Sequence, residues 1–141
     1  MQVATTTRLL GMTITLFILI LTMKAELLEF HYVAWQLSLV IPILFASMVS
    51  NSKIIDQTSF DKYRNFNLVM NSVSIALIAN TIGLLISKYV SVFIGMAYFI
   101  LFMGVYIFFF CKDFKNKKFY NELIILILLF SFGIIPLLFV L

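Results

Sequence analysis

Residues 68–87 read LVMNSVSIALIANTIGLLIS and residues 90–110 read VSVFIGMAYFILFMGVYIFFF, with only Lys88 and Tyr89 between them. Neither run contains Asp, Glu, Lys, Arg or His. A helix needs about 20 apolar residues to cross the hydrocarbon core of a bilayer, and each run has that length. The two runs therefore predict transmembrane helices joined by a tight turn at Lys88 and Tyr89, which must pack antiparallel as neighbours.

Three further apolar stretches continue this pattern along the chain. We predict transmembrane helices at about 5–23, 32–49, 68–87, 90–110 and 122–141. The predicted fold class is an all-α integral membrane protein, a polytopic bundle of about five helices that forms a single transmembrane domain, 1–141. The first stretch has the outline of a signal peptide, but residues 22–26 lack a small-x-small cleavage pattern, so we expect it to be retained.

The composition excludes an ordinary soluble domain. Apolar residues make up 63% of the 141 residues and charged residues 11%, where about 45–50% and about 25% are usual in soluble domains. Cys111 is the single cysteine, so the chain has no intrachain disulfide and no thiolate metal cluster. The net charge of +4 comes from basic residues at the ends of apolar runs. That placement favours orientation in a membrane, and we expect no direct contact with nucleic acid.

The distribution of basic residues predicts the orientation. If the N-terminus is cytoplasmic, eight of the ten basic residues fall on inner segments and only Lys24 and Lys88 on outer ones. Short cytoplasmic loops carry an excess of Lys and Arg, so this arrangement is favoured. The C-terminus is then outside, and we predict a multi-pass protein of the cell inner (plasma) membrane. The longest inner loop is predicted at residues 50–67.

Ionisable side chains are absent from the interiors of the predicted spans, where a catalytic or proton-transfer site within the membrane would need them. The interior of each predicted span lacks them, so we assign no catalytic, cofactor-binding or metal-binding residue and expect no cofactor. Glu26, Glu29 and His31 form the only cluster of carboxylates with an imidazole. A solvated outer loop is the favoured interpretation of this cluster, with a metal or acid–base site as the alternative.

The third predicted span carries a candidate helix-association face. Its small residues recur at i, i+4, i+7 and i+11, with an amide beside them: Ser72, Ala76, Ala79, Asn80 and Gly83. Small residues let helix backbones approach closely in lipid, and an amide there prefers a partner on another helix. Three roles are open for this face: it packs against other helices of the same protomer, it contacts another protomer, or it forms part of a polar pathway.

A basic inner segment is the second candidate for partner contacts. It contains Lys112, Lys115, Lys117 and Lys118, with Phe114 among them. Such a patch attracts anionic lipid, and it is equally suited to an acidic cytoplasmic protein. Glu122 follows it and opens the last predicted helix, where a carboxylate meets the positive end of the helix dipole.

In hydropathy and size, the chain resembles small bacterial inner-membrane proteins, namely immunity proteins against pore-forming toxins and membrane subunits of anti-phage defence systems. The resemblance implies no site residues. Our leading hypothesis is a non-catalytic membrane protein that acts by association, as a homo-oligomer or as the membrane subunit of a cytoplasmic partner. The alternative is a small transporter, flippase or channel whose pathway uses Gln36, the Pro42 kink, Asn71, Ser74 and Asn80. An enzyme acting on lipid through the Glu26 cluster is the third hypothesis.

Reporter fusions test the predicted topology. A reporter that is active only outside the membrane should be active after Glu29 or Leu141 and inactive after Gln57 or Asn116, because the basic residues hold the inner loops in the cytoplasm. The measurement is reporter activity at equal fusion abundance. Reversed activities at the four sites would contradict the orientation.

Overall fold

The structure, a computed structural model, describes residues 11–15, 31–55, 60–114 and 119–140, and nearly all of these are helical. The helices are α1 (His31–Ile55), α2 (Phe60–Tyr89), α3 (Val92–Phe114), α4 (Tyr120–Leu129) and α5 (Ile135–Val140). A π-helical turn, Phe130–Ile134, joins α4 to α5. Residues 11–15 are helical as well.

Four segments of the described residues are long and apolar enough to cross a membrane: His31–Asn51, Tyr63–Tyr89, Val92–Phe114 and Tyr120–Phe139. The chain is therefore a helical membrane protein. Most of the first predicted span, 5–23, lies outside the described residues, so a total of five spans remains a prediction. The orientation remains a prediction too.

The predicted inner loop at residues 50–67 is mostly helix. Helix α1 continues to Ile55 and α2 begins at Phe60, so both helices extend beyond the predicted spans, 32–49 and 68–87, into this segment. Hydropathy indicates where a helix leaves the hydrocarbon core. The helix itself continues further, until a residue such as Gly or Pro ends its backbone hydrogen bonding. Residues 50–55 and 60–67 contain no Gly or Pro to end a helix.

The turn between α2 and α3 also differs from the prediction. It lies at Val90 and Ser91 and not at Lys88 and Tyr89, which belong to α2. The amides of Val90 and Ser91 both donate to the carbonyl of Ile86, which closes α2. The Ser91 carbonyl then accepts the Gly95 amide at 3.0 Å. Ser91 thus precedes the first turn of α3, a position that Ser favours.

The chain divides into two compact units, Met1–Ser74 and Ile75–Leu141, and the boundary falls within α2. In the first unit, one face of α1 is buried at i, i+4, i+7 and i+11: Val33, Leu37, Val40 and Leu44. The opposite face exposes Leu39, Pro42, Phe45 and Val49. Both faces are apolar because one meets protein and the other meets lipid, so hydropathy alone does not separate them.

In the second unit, the buried ring of Phe99 on α3 is surrounded by small residues. A β-carbon at Gly83 on α2, or at Gly133 in the π-helical turn, would lie 2.5 Å from this ring. A β-carbon at Gly95 would lie 2.9 Å from the Cα atom of Ser87. Glycine at these positions lets the helices approach closely, and van der Waals packing of this kind drives helix association in lipid.

The π-helical turn lies just before Pro136. Proline lacks an N–H group, and its ring clashes with the carbonyl four residues earlier, here that of Phe132. The π-helical turn is wider than an α-helical one, so the hydrogen bonds there span five residues in place of four. The Ile135 amide accordingly donates to the Phe130 carbonyl. At Gly133 and Pro136 the last span therefore changes its helix type locally and then continues as α5.

Candidate functional site

A group of uncharged polar side chains, the polar cluster, lies within the first unit where α1 ends and α2 begins. Four of its members are buried and Asn71 is half-buried. The cluster consists of Ser47, Ser50, Asn51, Asn67 and Asn71. On α1, Ser47 and Asn51 continue the buried face by three and seven residues beyond Leu44. The face therefore changes from apolar to polar near the end of the span.

Hydrogen bonds across the cluster connect α1 to α2. The Ser47 hydroxyl bonds Asn67 Oδ1, and Asn67 Nδ2 donates to Asn51 Oδ1 at 2.6 Å. Ser47 Oγ also lies 2.9 Å from Asn71 Oδ1. The Ser50 hydroxyl donates to the Ser47 carbonyl at 2.8 Å. Two side chains of each helix therefore bond the other helix directly.

Proton counting gives this network a direction. A hydroxyl carries one proton, so Ser47 donates to only one of the two amide oxygens near it. The Asn71 amide also contacts its neighbour on α2, because Asn71 Nδ2 donates to Asn67 Oδ1 at 3.5 Å. When Ser47 donates to Asn67, the bonds between the helices run from Ser47 to Asn67 and from Asn67 to Asn51. Such chains strengthen each of their bonds by mutual polarisation.

Most other hydroxyls of the spans behave differently. Those of Ser38, Ser72, Ser74, Thr81 and Ser87 each donate to the carbonyl four residues earlier, at 2.8–2.9 Å. They satisfy their own helix and connect it to nothing else. Because the cluster itself holds only Ser and Asn, it offers neutral donors and acceptors and no general acid or base near neutral pH.

The predicted helix-association face is buried within the protomer. Ser72, Ala76, Ala79, Asn80 and Gly83 are all buried. In the second unit, Asn80 Nδ2 donates to the Leu128 carbonyl of α4 at 3.0 Å, which is a bond to another helix. Asn80 Oδ1 has no hydrogen-bond partner in the part of the chain that the structure describes, and it lies close to Gly133. A role of this face between protomers stays a prediction.

Other predicted positions are only partly described. Lys112 is exposed in the last turn of α3, whereas Lys115, Lys117 and Lys118 lie outside the described residues. His31 is exposed and begins α1, while Glu26 and Glu29 also lie outside the described residues. Among the described residues, no group of three or more His, Cys, Asp or Glu is placed to hold a metal ion.

The suggested pathway residues fall in different units. Gln36, Asn71 and Ser74 belong to the first unit and Asn80 to the second. Gln36, Ser74 and Asn80 are fully buried. The structure joins Asn71 to the polar cluster through Ser47.

Sequence reasoning missed Ser47, Asn51 and Asn67. Asn51 and Asn67 fall in the inner loop predicted at residues 50–67, because the charged residues nearby indicate the ends of the spans. The signal was present in the spacing: Ser47 and Asn51 are four residues apart, as are Asn67 and Asn71. Polar residues at this spacing share one helix face.

No protein family, curated protein or solved structure matches this chain. The class of the protein therefore rests on its own helices.

Replacing Asn67 tests whether the polar cluster holds α1 and α2 together. Asn67→Leu keeps the side-chain size but leaves the Ser47 hydroxyl and the Asn51 amide oxygen without this partner. We expect a loss of about 1–2 kcal/mol in the free energy of unfolding, measured by denaturant titration in micelles. The control is Asn65→Leu, an exposed position on the same helix, expected to change stability by less than about 0.5 kcal/mol. Equal effects of the two variants would contradict the role of the cluster.

Proposed function

We propose that this chain is a non-catalytic, multi-pass protein of a bacterial inner membrane that acts by association, as a homo-oligomer or as the membrane subunit of a cytoplasmic partner. The proposal includes five spans with a cytoplasmic N-terminus and an outer C-terminus. It extends to roles such as toxin immunity or anti-phage defence, which act through protein contacts. Four membrane-spanning helices among the described residues support its membrane part.

The observation that carries the proposal is the exposure of α3. Only 11% of its apolar window is buried, compared with 50% for the window in α2. One continuous face, the α3 surface, is exposed along its length. Its residues recur at intervals of three or four: Phe93, Ala97, Leu101, Gly104, Phe108 and Cys111.

Gly104 distinguishes this surface from an ordinary lipid-facing one. Among the described residues, no atom outside its own helix lies within 4 Å of the position that its β-carbon would occupy. Glycine inside a helix costs roughly 0.5–1 kcal/mol relative to Ala, and no contact with another described helix offsets that cost here. Small residues such as Ala97 and Gly104, seven residues apart, allow another transmembrane helix to approach closely.

A second copy is the simplest partner for the α3 surface. Most oligomers are symmetric, and copies inserted the same way into one membrane bring equivalent helices together in parallel. Cys111 of each copy would then lie at the same depth. For a cytoplasmic partner, Lys112 and Phe114 are exposed at the end of the same helix, next to the lysines at 115, 117 and 118.

Cross-linking through the natural Cys111 tests association. In liposomes, a short bifunctional thiol reagent should link two wild-type copies, and Gly104→Leu should lower the cross-linked fraction about tenfold, equivalent to about 1.4 kcal/mol. Leucine here separates the helices of two copies without disturbing the described part of the protomer, where no other helix lies within 4 Å of the β-carbon position of Gly104.

Two controls accompany this measurement. Phe109→Leu changes an exposed residue on another side of α3 and should leave cross-linking unchanged. Gly83→Leu should instead destabilise the protomer, because Phe99 occupies the space beside Gly83. A monomeric wild type would exclude the homo-oligomer and leave only a heteromeric partner.

The polar cluster supports the second candidate, a small transporter, flippase or channel. A substrate pathway through a bilayer needs buried donors and acceptors, and the cluster provides amides and hydroxyls near one end of two spans. Purified protein in liposomes should then show flux or conductance, and Asn67→Leu should abolish it. Absence of flux together with cross-linked oligomers would favour association.

A further inference from the structure

An open apolar groove lies beside the polar cluster in the first unit. Its lining residues come from the end of α1 and the beginning of α2: Ala46, Val49, Ser50, Tyr63 and Phe66. Its volume is about 390 Å³. Val49 and Phe66 are exposed at its rim, so the groove opens to the surroundings. The Ser50 hydroxyl is already bonded to the Ser47 carbonyl at 2.8 Å, which leaves the groove wall largely apolar.

The position of the groove determines what it meets in a membrane. The apolar window of α1 ends at Asn51 and that of α2 begins at Tyr63. The groove therefore lies at the ends of two spans, where hydrocarbon gives way to headgroups. Tyr63 is of the type that favours this interface.

One exposed basic residue follows the groove lining directly in the chain. Arg64 follows Tyr63 and is exposed. Along the chain, Lys53 is four residues after Val49, and Lys62 is four residues before Phe66. Asp56 and Asp61 lie in the same segment, which leaves a net charge of +1 from three basic and two acidic residues. An apolar groove with an exposed arginine beside its interfacial end complements an acyl chain that carries an anionic headgroup.

We propose that this groove binds one acyl chain of an anionic phospholipid, with Arg64 binding its phosphate. The guanidinium group of Arg64 presents five N–H donors, which suit a phosphate beside its other contacts. The aromatic rings of Tyr63 and Phe66 contact the chain below the headgroup. The bound lipid covers the side of the α1–α2 contact next to the polar cluster.

Native mass spectrometry of the full-length protein, released from micelles with phosphatidylglycerol or phosphatidylcholine of identical chains, tests the proposal. We expect one phosphatidylglycerol to stay bound preferentially. Val49→Trp should reduce this retention about tenfold, as expected for loss of contact with about two methylene groups. Leu39→Trp is the matched control, because Leu39 and Val49 are exposed to similar extents on the same helix, 44% and 47%.

The headgroup contact is tested separately. Arg64→Gln should remove the preference for phosphatidylglycerol, while Lys88→Gln, with the same change in charge at another exposed site, should preserve it. Equal retention of the two lipids by the wild type would overturn the proposal. So would undiminished retention by folded Val49→Trp, or cross-links that place a second copy in the groove.

Discussion

Hydrogen bonds between polar side chains of α1 and α2 are the interaction on which the first unit depends. A polar group in hydrocarbon has no water to bond, so it must find its partner within the protein. Ser47 and Asn51 of α1 do so with Asn67 of α2, in a network that also includes Asn71. Since apolar packing against a protein differs little from apolar packing against lipid, these bonds specify which faces of the two helices meet.

Close packing of small residues has the same role in the second unit. Gly83 and Gly133 leave room for the ring of Phe99, and the amide of Asn80 bonds the Leu128 carbonyl. The α3 surface has the same kind of residue in Gly104, but none of the other helices that the structure describes lies beside it. Gly83 and Gly133 pack against another helix, whereas Gly104 does not in the described part of the chain, and this contrast is the reason to expect a partner at the α3 surface. The groove near Tyr63 suits a lipid instead.

The sequence was sufficient to predict the helical membrane class, because long uncharged runs such as residues 90–110 have one stable form in a bilayer. It did not reveal the polar cluster, since Asn67 lies among Lys62, Arg64 and other residues typical of a loop. Whether Asn67 is buried depends on which helices pack against each other. Charged residues near the end of a span do not show which helices these are. The face with Ala76 and Gly83 was visible from spacing, but its neighbour Phe99 was not.

A double-mutant cycle between Ser47 and Asn67 tests the central claim most directly. The free energy of unfolding is measured in micelles for the wild type, Ser47→Ala, Asn67→Ala and the double variant. If the two side chains bond across α1 and α2, their coupling energy should be about 0.5–2 kcal/mol. Effects that add to within about 0.3 kcal/mol would show that the two side chains act independently, which would contradict the account.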